Sequence, residues 1–192
     1  LRPHPPWIAP EPFNSMYDPK SMPKPLRKET LDEEGRQHPL LKTLHELLPR
    51  NNFIKDNIDE PASKMNDLDL LQARATYYGL MSEVDQNIGR VIKYLKDSGQ
   101  YDSTLVIFTS DHGEHLGDHY LFGKLGYFDQ GYHIPLIVMN PEMSRKNNGL
   151  KLDTFTEAID VMPTILDWLN AEIPEECDGS SLLPLMNGEI PS

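Results

Sequence analysis

Residues 104–140 read TLVIFTSDHGEHLGDHYLFGKLGYFDQGYHIPLIVMN. The opening run Leu105-Val106-Ile107-Phe108 has the apolar, β-branched character of a buried strand, and residues 134–139 supply a second. Between them lies a polar loop with Asp111, His112, Glu114, His115, Asp118, His119 and Lys124, punctuated by Gly113, Gly117, Gly123, Gly126 and Gly131. A buried strand feeding a loop dense in ligand-capable groups is how α/β folds place chemistry, because sites form beyond the carboxyl ends of strands.

Asp111 and His112 directly follow the first strand. A carboxylate and a neutral imidazole are both metal ligands; a mixed O/N set suits Zn, Mn or Fe, and added carboxylates shift it toward Mg or Ca. Neighbouring side chains diverge from extended backbone, so the two share one ion only if the chain turns there, which Gly113 permits. Lys124 supplies a point cation for an anionic oxygen. Against this stands the plain alternative that polar loops carry Asp, His and Gly without function, and His115 and His119 are expected to be solvated or hydrogen-bonded within the loop.

Upstream, Tyr77, Met81, Val84, Ile88, Val91, Ile92 and Leu95 recur three and four apart and predict a helix over 68–97 with that stripe buried. Asn66 or Asp67 caps it, Asp69 lies in its first turn, Lys93 and Lys96 suit its end, and Gly99 stands at C′. A helix turning into the strand at 104–109 is an αβ unit, which predicts a parallel or mixed sheet. A shorter amphipathic helix is expected over 39–48, and the segment 53–66 as loop. Residues 1–30 hold eight prolines between Pro3 and Pro25 and read as an extended arm. Downstream, 144–149 reads as a turn, 153–158 as a strand, and 160–169 as a helix with proline in its first turn and Trp168 in the core.

At 192 residues the chain suits one domain of 1–192, with a proline-rich arm and loop region over 1–66 and an αβ core over 67–192. The net charge of −12 argues against a nucleic-acid surface. An acidic protein that binds anions needs a local positive site, which a metal and Lys124 would make. No apolar run approaches the ~18 residues of a membrane span, so no membrane partner and a soluble protein are expected; the compartment, cytoplasmic or periplasmic/secreted, stays open. One cysteine, Cys177, excludes an internal disulfide framework. The start at Leu1-Arg2-Pro3 has no signal-peptide character and suggests a processed chain or a fragment.

The segment Thr109-Ser110-Asp111-His112-Gly113-Glu114, followed by Leu116-Gly117-Asp118-His119 and Gly123-Lys124, resembles the second metal-binding segment of the sulfatase family of the alkaline phosphatase superfamily. It is most similar to the phosphonate monoester hydrolase and arylsulfatase branch, where the metal pair is Asp-His. Arg2-Pro3-His4-Pro5-Pro6 resembles the Lys/Arg-Pro-His-x-Pro segment of the same family, and Asp178-Gly179-Ser180-Ser181-Leu182-Leu183-Pro184 its DGxSLLP segment. The resemblance implies an alkaline-phosphatase-like α/β fold, with a mixed or mostly parallel sheet flanked by helices, of which only part is present. It implies Asp111 and His112 as ligands of a divalent metal (Ca, Mn, Mg or Zn), with Lys124 and His4 contacting the transferred group and His4 beside the leaving oxygen.

The family's nucleophile stands in C/S-x-P-x-R. Cys177 is followed by Asp178-Gly179-Ser180, and Ser21-Met22-Pro23-Lys24 has Pro25 where arginine is required. The resemblance therefore matches the later part of the family pattern and implies a C-terminal portion of a larger enzyme. The expected function is metal-dependent hydrolysis of small-molecule sulfate esters, in a portion lacking the formylglycine nucleophile. The alternatives are a phosphonate monoester or phosphodiester hydrolase of the same family, and a non-catalytic metal-binding or interaction fragment. A homo-oligomer is left open. Phosphoethanolamine transferases share Ser-Asp-His-Gly-Glu but normally carry membrane helices and lack the Arg-Pro-His-Pro-Pro segment.

Overall fold

The computed structural model describes residues 2–143 and 149–189. Its elements in chain order are α1 (Leu31–Gly35), α2 (Pro39–Leu47), α3 (Asp67–Asp97), β1 (Val106–Thr109), α4 (Asp129–Tyr132), β2 (Leu136–Met139), α5 (Val161–Trp168) and α6 (Leu183–Met186), joined by short 3₁₀ turns. The chain divides into two compact units, Leu1–Asp102 with Ile107–Ile137, and Ser103–Val106 with Val138–Ser192. The arm of residues 1–66, α3 and the Asp111–Lys124 loop thus fall in one unit.

Local chemistry sets the helix ends. Asn66 accepts from the Asp69 amide and begins α3; Ser98 closes it, and Gly99 follows at φ +72°. The buried face of α3 differs from the expected stripe. Leu70, Ala73, Arg74, Ala75, Gly79 and Leu80 are buried, whereas Met81 and Val91 are exposed. The first half of the helix is the half that receives a partner: the 3₁₀ turns Phe13–Ser15 and Pro19–Ser21 of the proline-rich arm pack on it. A Cβ on Gly79 would stand 2.1 Å from the Phe13 carbonyl oxygen, so only glycine lets the arm come so close. Residues 10–25 are therefore packed chain, with Phe13 and Met22 buried, and not the surface arm that proline content suggests.

One core cluster joins Trp7, Phe13, Phe53, Ala62, Met65, Leu70, Leu80 and Phe122. Phe53, Ala62 and Met65 come from a stretch expected to be simple loop. Tyr77 packs edge-on against Trp7 and Tyr78 edge-on against Tyr17.

β1 and β2 pair as a two-stranded sheet. Neither strand is buried as its composition predicted: Phe108 is 40% and Ile137 62% exposed. Alternate residues of a strand point to opposite faces, so a two-stranded sheet is buried only where other elements cover both faces. Residues 153–158 form no strand; the stretch runs as coil into a 3₁₀ turn at Ala158–Asp160. The turn expected at 144–149 lies largely outside the described residues. In α5, Pro163 and Thr164 are buried and Trp168 is partly buried. No helix among the described residues is long and apolar enough to cross a membrane.

Candidate active site

The loop after β1 is shaped by its own backbone. Gly113 N–H donates to the Gly131 carbonyl (2.9 Å) and His115 N–H to the Gly123 carbonyl (3.0 Å). The Glu114 carboxylate reaches across the loop and accepts from the Gly123 amide at 2.6 Å and the Leu116 amide at 3.3 Å. Burial pushes the Glu114 carboxyl up from its ordinary range; these amides and the nearby His112 charge oppose the push. Tyr77, partly buried and near the Glu114 charge, is pushed up to about 12. Glu114 therefore fixes the turn that carries Lys124.

A buried arginine joins this loop to α3. Arg74 donates through Nε to the Leu116 carbonyl (2.8 Å), through Nη1 to the Pro23 carbonyl (2.7 Å) and through Nη2 to Asp118. Asp118 also accepts from the Leu26 amide and Gln130 Nε2. One ion pair thus holds the arm, the helix and the loop together. Sequence reading left Arg74 unassigned; its signal was a charge standing four residues after Leu70 and three before Tyr77, on the face those residues share.

Asp111 and His112 end up side by side. His112 Nδ1 lies 2.8 Å from the Gly113 carbonyl oxygen, and a carbonyl can only accept, so Nδ1 carries the proton. Nε2 lies 3.6 Å from Asp111 Oδ2. The Asp111 side chain is 87% exposed, and its other oxygen accepts from the His112 amide. Slight burial would raise the Asp111 carboxyl, but the His112 charge, the local backbone amides and the Lys124 ammonium outweigh it and hold the carboxyl below its ordinary value. Lys124 therefore lies within electrostatic reach of Asp111. An imidazole nitrogen, when neutral, and a carboxylate oxygen separated by 3.6 Å suit two ligands of one cation, given metal–ligand lengths of roughly 2.0–2.5 Å. No group of three or more His, Cys, Asp or Glu side chains that could hold a metal occurs among the described residues.

His4 is exposed, and its Nδ1 lies 2.7 Å from the Pro5 carbonyl oxygen, which leaves Nε2 for an outside partner. No hydrogen bond or ion pair among the described residues joins it to Asp111, His112 or Lys124. Trp7, three residues on, anchors its segment: Trp7 N–H donates to the Phe53 carbonyl (2.7 Å), and the indole packs on Phe122 with centroids 6.1 Å apart. Phe122 stands two residues before Lys124, so one aromatic contact ties the His4 segment to the Lys124 turn.

The other loop histidines are structural in two ways. His119 reaches out of the loop, hydrogen-bonds the buried Glu34 carboxylate at 3.0 Å and stacks on Phe128 at 3.8 Å. Its carbonyl receives His45 Nε2. His115 is not solvated: it is 1% exposed, and neither ring nitrogen has a well-formed hydrogen bond among the described residues. Burial, then the His119 charge, push its imidazole down to about 4 against a weaker pull from the Leu125 backbone and Asp118. His38 caps α2, its Nδ1 accepting from the Leu40 amide.

Known proteins share this sequence and fold. The family model described as Sulfatase matches residues 1–171. The chain belongs to the sulfatase family. It is 45% identical over 191 residues to the multifunctional alkaline phosphatase superfamily protein PehA of Trinickia caryophylli, covering 100% of this chain and 37% of that one. It is 30% identical over 190 residues to an arylsulfatase of Clostridium perfringens, covering 97% and 36%. Among solved structures, the phosphonate monoester hydrolase SpPMH from Silicibacter pomeroyi superposes with a TM-score of 0.91 at 43% identity, over 100% of this chain and 37% of that one. This sulfatase-family chain thus spans just over a third of the length of these relatives, and its fold is part of their α/β architecture.

Proposed function

We propose that these 192 residues form the C-terminal portion of a metal-dependent sulfatase-family hydrolase that cleaves sulfate monoesters of small molecules. The observation that carries the reading is the Asp111 Oδ2–His112 Nε2 pair at 3.6 Å, with the Lys124 charge acting on the same carboxylate. Asp111 and His112 supply two ligands of a divalent cation. Such a cation, when bound, supplies Lewis-acid polarisation of a non-bridging oxygen of the ester. The residues of this chain do the rest of their share as fixed charges and proton carriers. Lys124 binds an oxygen of the transferred group and offsets charge that grows there. His4, through Nε2, stabilises or protonates the leaving oxygen. Glu114 keeps Lys124 in register by holding the Gly123 amide.

In this reading the nucleophile lies outside the 192 residues, since they contain no C/S-x-P-x-R segment. A second reading, hydrolysis of phosphonate monoesters, draws support from the Asp-His pair and the likeness to SpPMH across the whole chain. The test is a panel on the protein at its natural length: 4-nitrophenyl sulfate against a 4-nitrophenyl phosphonate monoester, with metal content measured alongside. Faster sulfate turnover is expected, lost with chelator; a strong preference for the phosphonate replaces the first reading by the second. Turnover of neither ester would leave the non-catalytic reading. The 192-residue chain alone is expected to turn over neither and to hold metal weakly, because two protein ligands fall short of the three or four of most metal sites.

A further inference from the structure

Two exposed tyrosines follow Lys124. Tyr127 is 79% and Tyr132 59% exposed, yet their rings stack nearly parallel, with centroids 5.6 Å apart and planes 15° apart. Tyr127 has φ +61°, an unusual backbone for a bulky residue, and follows Gly126 at φ +118°. The backbone bearing Tyr132 is locked to the candidate site. Gly113, next to His112, donates to the Gly131 carbonyl at 2.9 Å. A Cβ on Gly113 would lie 2.0 Å from the Gln130 carbonyl oxygen, and one on Gly131 would lie 3.1 Å from the Lys124 carbonyl oxygen. The backbone next to Tyr132, on which Tyr127 stacks, is therefore held by the same contacts that hold the Asp111–His112 turn and Lys124.

From this juxtaposition we infer that Tyr127 and Tyr132 form a subsite for the planar, uncharged part of the ester, an aryl leaving group above all. The inference rests on the anionic-ester reading of the site. An aromatic face is the negative end of a quadrupole, so it does not favour the oxyanion, which belongs with Lys124 and the cation. A flat apolar ring is what such a face accepts. The strained backbone at Tyr127 places a side chain where a polar turn residue would suffice for the fold alone.

The test uses the protein at its natural length with two ligands that share a head group, phenyl phosphate and methyl phosphate, as competitive inhibitors. Tyr127→Asn removes the ring and keeps a residue that tolerates positive φ; Tyr127→Phe keeps the ring. The wild type should bind phenyl phosphate more tightly than methyl phosphate by about 3- to 10-fold, the scale of one aromatic contact. That ratio should collapse toward one in the Asn variant and return in the Phe variant. A ratio unchanged by Tyr127→Asn overturns the subsite and leaves the hydrolase reading standing. So does an unchanged ratio accompanied by an altered oligomeric state, which would make the tyrosines an interface. A wild type that binds neither ligand overturns the hydrolase reading and the subsite with it.

Discussion

Two motif-bearing stretches, 111–132 and 178–186, use their polar groups in opposite ways. In the second, Ser180 N–H donates to Asp160, Ser181 Oγ to Asp167 at 2.5 Å, and Leu182 N–H to the buried Thr164 hydroxyl at 2.9 Å. Gly179 passes so close to the Ile159 carbonyl oxygen that a Cβ would stand 2.3 Å from it. Those donors are spent on α5, so the stretch reads as a clasp. In the first, Glu114, Asp118 and His119 are spent in the same internal way, but Asp111 and Lys124 are left open to solvent. The difference separates motif residues that build the loop from those that meet a ligand.

The largest stability effect is expected inside the loop. Asp118→Ala leaves the buried Arg74 guanidinium without its carboxylate and should cost about 3–5 kcal/mol of unfolding free energy. A loss under about 1 kcal/mol in urea titrations would mean that Asp118 is not the partner that closes this part of the loop.

The next effect is pH-dependent. The His115 imidazole sits at about 4 in the folded chain against 6.5 ordinarily, so the unfolded chain takes up the proton first on acidification. Stability should therefore fall as pH drops from about 6.5 to about 4 and level off below, by about 3 kcal/mol in all. His115→Asn should flatten that slope. A slope surviving the substitution assigns it to other groups.

Thr164→Val tests the clasp. It removes the acceptor of the Leu182 amide and should cost about 1–3 kcal/mol, with no change in ester turnover. A turnover loss without a stability loss would reverse the contrast between the two stretches.

The parts of the molecule that were legible in sequence share a local cause. Asn66, the long apolar period and Gly99 marked α3 almost to the residue, since caps and periodicity act within a few positions. The strand that ends just before Asp111 and His112 was legible in the same local way. What escaped depends on contacts far apart in the chain. The arm packs because Phe13 meets Gly79, 66 positions on, and proline content alone says nothing of that. Glu34 finds His119 across 85 positions. The strand expected at 153–158 failed because Phe155 and Ala158 are its only apolar side chains, too few to bury a strand face, and Phe155 is exposed; β1 and β2 are partly exposed in a chain that spans just over a third of its relatives' length. Tyr127 and Tyr132 gave no periodic signal at all.

Asp111→Asn in the protein at its natural length tests the central claim most directly, because the side chain is exposed and its loss should barely touch folding. Turnover of 4-nitrophenyl sulfate or of the phosphonate monoester, whichever the wild type prefers, should fall by about 10²–10³-fold, with bound metal reduced and the thermal midpoint of the metal-free protein unchanged. Undiminished turnover with full metal content would contradict the account and leave Asp111 an ordinary loop residue.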